Sequence, residues 1–73
     1  MAYSKVYQEK FDDVDQWYIK QFAMKLIDEK GYFGAESIAT RLYDESIEDP
    51  YWASWFYAVY LQIRSLYRNF YKG

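Results

Sequence analysis

Residues 49–72 read DPYWASWFYAVYLQIRSLYRNFYK, and their spacing decides the fold class. Asp49 is an acidic cap, and Pro50 stands at the first helical position, where its missing N–H costs nothing. Trp52, Phe56, Val59, Ile63, Leu66 and Phe70 then recur at intervals of 4, 3, 4, 3 and 4, the apolar repeat of a helix that buries one face. Arg64, Arg68 and Lys72 near the end agree with the helix dipole. A helix from 50 to about 71 is the expected spine.

A second series lies one residue further along: Ala53, Tyr57, Tyr60, Arg64, Tyr67 and Tyr71, at the same spacing but about 100° around the helix. Helices packed in two layers need only one apolar stripe each. Two readings account for the second one. Either the first helix or the N-terminal arm covers it, or it is a surface for a partner. Tyr and Arg are enriched at interface hot spots because each buries much area and keeps a polar tip. The expected partner-binding residues are therefore Tyr57, Tyr60, Arg64, Tyr67, Arg68 and Tyr71.

Upstream of the spine, Asp13 and Gln16 have capping-box spacing and open a helix to Lys30, where Gly31 stops it. Tyr18, Ile19, Phe22, Ala23, Leu26 and Ile27 share its buried face. Trp17 and Met24, one heptad apart on the other side, form a second candidate patch. Gly31-Tyr32-Phe33-Gly34 reads as a tight connection that plugs two rings into the core. A helix over 35–45 follows, with the small apolar set Ala35, Ile38, Ala39 and Leu42. Residues 1–11 alternate without a clean apolar face and read as an extended arm. The expectation is one all-α domain, 12–73, of three helices near 13–30, 35–45 and 50–71. Its core would centre on Phe22, Leu26, Trp55, Phe56, Val59 and Ile63.

Composition removes most chemistries. The 73 residues contain no Cys and no His, which excludes a disulfide framework, a thiol nucleophile and the commonest base and metal ligand. The acids Asp12-Asp13-Asp15, Asp28-Glu29, Asp44-Glu45 and Glu48-Asp49 match no calcium loop. No glycine-rich phosphate loop or nucleophile elbow is present. No enzyme activity, cofactor, metal or small-molecule substrate is expected.

Charge is divided along the chain. Residues 1–50 hold all 11 acids against six bases, and residues 51–73 hold three bases and no acid. Half of the 18 aromatics also fall in that last segment. The longest nearly uncharged stretch, Pro50 to Ile63, is shorter than the ~20 residues of a membrane span. With no charged and apolar leader at its start, the chain reads as cytoplasmic. The expected role is a non-catalytic protein-binding module (adaptor, inhibitor or self-associating subunit), its partner another protein or a second copy.

A small nucleic-acid-binding helical domain is the alternative. Glu36, Ile38, Ala39 and Leu42 have the spacing of a first helix in a helix-turn-helix unit. The next helix, however, opens Pro50-Tyr51-Trp52-Ala53 behind four acids, the wrong surface for reading base edges.

Overall fold

The computed structural model describes residues 11–72, with side chains described for 11–69. The arm expected over 1–11 thus lies almost wholly outside the described residues. Among the described residues the chain is all-α, as its spacing predicts, in two helical elements: α1, Asp13–Glu45, and α2, Pro50–Lys72. The boundary expected between the first two helices is a kink at a single residue within one helical run, rather than a four-residue connection.

That residue is Gly31, at φ 77° and ψ 173°. Only glycine occupies this backbone region without strain, because any Cβ collides with the flanking peptide. A straight helix of 33 residues would reach about 50 Å, yet the molecule's longest dimension is 32 Å. The run is therefore folded at Gly31 into two arms, 13–30 and 32–45. Gly31 supplies the positive φ expected of it, but one residue makes the whole turn. Tyr32, Phe33 and Gly34 belong to the second arm rather than to a connection. Gly34 answers a different constraint, since a Cβ there would stand 2.8 Å from Lys30 Cβ.

The helix ends are fixed by local hydrogen bonds. Asp12, not Asp13, is the N-cap of α1: its Oδ1 accepts from the Asp15 amide at 2.8 Å. Gln16 reaches back to donate to the Phe11 carbonyl at 2.7 Å instead of completing a box with Asp13. Between the elements, the Ser46 amide donates to the Leu42 and Tyr43 carbonyls, and the Asp49 amide to the Ser46 carbonyl. Asp49 caps α2 as expected, Oδ1 accepting from the Trp52 amide at 3.4 Å. Ser54 is completely buried, and its hydroxyl is satisfied by donating to the Pro50 carbonyl at 2.7 Å.

Small residues occupy the centre. Ile19, Ala23 and Leu26 from the first arm, Ala35 and Ala39 from the second, and Ala53, Val59 and Ile63 from α2 are the buried apolar side chains. Of the expected core, Leu26, Val59 and Ile63 are buried, whereas Phe22, Trp55 and Phe56 are half-buried. Trp52 is 45% exposed and Tyr18 54% exposed, both against expectation. The alanines explain the change. They let the helical segments approach closely, and the space left between backbones is too small for large rings. The rings overflow to the edges.

Two outcomes follow for urea unfolding followed by circular dichroism. Gly31→Ala loses about 1–3 kcal/mol of stability, even though a Cβ at 31 has open space around it; an unchanged midpoint would show that the bend is not held by this residue. Ala39→Leu, inserted where the side chain has no exposure, loses about 1–3 kcal/mol through overpacking.

Candidate functional site

The two stripes of α2 have two separate neighbours. On the first, the Phe22 ring of the first arm lies 5.8 Å from Trp55 and 6.3 Å from Phe56. On the second, rings of the second arm meet α2: Tyr43 against Tyr57 at 5.9 Å, Tyr32 against Tyr67 at 5.3 Å, and Phe33 against Tyr67 at 5.8 Å. A helix held between two arms requires two apolar stripes. Among the described residues it is the segment 32–45 that lies against the second stripe, and neither sequence reading named it.

Coverage is complete only at the start of the second stripe. Ala53 is fully buried; Tyr57 and Tyr60 are half-buried and stack on each other with ring centroids 6.2 Å apart. Arg64, Tyr67 and Arg68 emerge at the surface. The Tyr71 side chain lies outside the described residues. Arg64 Nη1 donates to the Tyr60 hydroxyl at 2.9 Å, and the guanidinium carbon sits 5.7 Å from the Tyr60 ring centroid. That hydrogen bond raises the Arg64 pKa, with a smaller contribution from Glu36. Together Phe33, Glu36, Arg64, Tyr67 and Arg68 border a groove of about 730 Å³, with the buried Ile63 behind its wall. Phe33, expected to plug into the core, is 76% exposed at its rim.

Trp17 and Met24 are both exposed, and each borders a depression of its own. The Trp17 ring packs on Tyr18 at 5.0 Å and borders a depression with Lys20, Ala58 and Gln62. Met24 borders a different one with Ile27, Asp28 and Leu66. The surface that sequence reasoning missed runs between the first arm and the start of α2, where Tyr18, Phe22, Tyr51, Trp52 and Trp55 line a shallow depression. The available signal was positional. Trp52 opens its stripe, and with Tyr51 and Trp55 it sets three rings in the first two turns of α2.

One hydrogen bond ties the two helix starts together: the Tyr51 hydroxyl donates to Asp15 Oδ2 at 3.2 Å. Desolvation among neighbouring rings, then the Asp15 carboxylate, push the Tyr51 phenol above its ordinary pKa. Among the described residues no three His, Cys, Asp or Glu side chains gather as a metal site, and no helix is long and apolar enough to cross a membrane. Comparison with protein-family models, curated proteins and solved structures yields no match.

The raised phenol pKa sets the sign of a pH effect. The native state holds the Tyr51 proton more tightly than the unfolded chain, so the contribution is present below pH 10.0 and lost as pH rises through the elevated native value. Wild type should therefore exceed Tyr51→Phe in urea midpoint by a small margin at neutral pH, and the margin should vanish in strong alkali. A pH-independent difference would remove the Asp15 bond as its cause.

Proposed function

We propose that the protein is a non-catalytic binding module for other proteins, acting through the groove at the open end of the second stripe. The observation that carries this reading is the exposed Phe33 ring beside Tyr67, with Arg64 and Arg68 at the same rim. A ring so exposed contributes little to folding, while aromatic and Arg side chains around a concave floor are the composition of interface hot spots. The groove carries two cations against Glu36, so its complement is a protein segment with an apolar anchor flanked by carboxylates. Tyr57 and Tyr60 support the groove from within rather than touching the partner. The absence of His and Cys from the chain is consistent with a role in binding rather than turnover.

Random peptides displayed on phage, selected on the immobilised full chain, test this. The selected sequences should combine an aromatic or aliphatic residue with Asp or Glu. Synthetic peptides made from them should bind about tenfold more weakly to an Arg64→Glu/Arg68→Glu variant. Absence of any enriched sequence, or enrichment indifferent to that variant, would refute the reading. Labelled oligothymidylate serves as the competing probe. Tight binding of it, with a steep loss on added salt, would replace this reading with single-strand recognition through stacking and arginine contacts.

A further inference from the structure

The second exposed aromatic surface is independent of the groove and uses different residues. Tyr18 and Phe22 from the first arm, with Tyr51, Trp52 and Trp55 from α2, line a depression whose floor is almost entirely apolar. Trp52 contacts Tyr51, Trp55 and Phe56 at ring-centroid distances of 5.2, 5.7 and 6.0 Å, and so joins the rings into one sheet. The face is therefore assembled and continuous before anything binds it.

Its charges identify what fits it. Asp15, Tyr18, Phe22 and Lys25 follow one another along the first arm at intervals of 3, 4 and 3, and all four line the depression. The acid is at one end, the base at the other, and the rings lie between. The ten residue steps from Asp15 to Lys25 span about 15 Å. The Asp15 carboxylate is held at its end of the rim by the Tyr51 hydroxyl. A stripe with opposite single charges at its two ends is complementary to itself reversed. A two-fold axis between Tyr18 and Phe22 would place each Asp15 opposite the Lys25 of a second copy, twice, with the Trp52 rings closing over the centre. A partner of uniform charge would gain at one end and lose at the other.

We propose that this face pairs with a second copy of the chain, antiparallel along the first arm. Area sets how tightly. Tyr18, Tyr51 and Trp52 each expose about half of their surface, which gives roughly 300 Å² of ring per copy. With the rim added, the interface stays near the lower end of specific ones, where roughly 800 Å² per partner is standard. The pair is therefore reversible and separates on dilution.

Sedimentation equilibrium on the full chain over a concentration series tests the proposal. The average mass should climb from 9.0 kDa toward twice that value, and Trp52→Ala should hold it at the monomer. Two charge variants test the geometry without relying on Trp52. Lys25→Glu alone and Asp15→Lys alone each place like charges opposite one another and should weaken pairing about tenfold. An equimolar mixture of the two restores both attractions and should pair again. Circular dichroism establishes that each variant is folded. A mass fixed at 9.0 kDa throughout, pairing indifferent to Trp52→Ala, or a mixture no better than its components would each overturn the proposal. The groove variant Arg64→Glu/Arg68→Glu should pair like wild type, so failure here leaves the groove's function standing and the reverse also holds.

Discussion

The positive φ at Gly31 is the constraint on which the other features depend. It folds a run of 33 helical residues back within a 32 Å molecule and thereby makes two arms out of one helix. With the bend in place, α2 has a neighbour on each of two sides, and its second stripe has something to bury against. Straightened, the same run would offer α2 one side only, and Ala53, Tyr57 and Tyr60 would face water. Gly34 completes the device by admitting the backbone close to Lys30.

Close approach has a second effect, on the large side chains. Ala23, Ala35, Ala39 and Ala53 bring helical segments near one another, and Val59 and Ile63 fill what remains. A quarter of the sequence is aromatic, far more ring than such a thin core admits. The excess is distributed along the seams between the arms and α2, in edge-on and tilted contacts that bury one side of each ring. The protein's adhesive character thus follows from its packing: small residues inside force large ones to the rim.

Much of this was legible in the residues. The start of α2 at Pro50 follows from Asp49-Pro50, the turn at Gly31 from a cation followed by glycine, and both stripes of α2 from their 4-3 spacing. Sequence spacing is blind, however, to the distance between helices. It could rank Phe22, Trp55 and Phe56 as core because they lie on the right face, but whether a face closes tightly depends on the residues opposite. For the same reason Trp52 was assigned inward. The length of the connection at Gly31 also escaped it, since glycine followed by two rings and another glycine reads equally as a loop or as one bend entering a helix. Of the candidate site, the outward placement of Arg64, Arg68, Trp17 and Met24 was readable from angular position. The exposure of Phe33 was not, because it depends on the helix resuming at 32.

The order in which the arms reach α2 has a consequence of its own. The second arm and α2 form a hairpin joined by residues 46–49, with rings as near in sequence as Tyr43 and Tyr57 already in contact. The first arm meets α2 only through distant pairs such as Phe22 with Trp55 and Asp15 with Tyr51. Loop-closure entropy favours the nearer contacts first. The groove around Phe33 and Arg64 belongs to the hairpin, whereas the Trp52 face does not exist until the first arm has docked. The groove's lining is thus local to the hairpin, whereas the Trp52 depression takes one wall from the first arm, so a change that loosens that arm would dismantle the depression and leave the groove's walls joined.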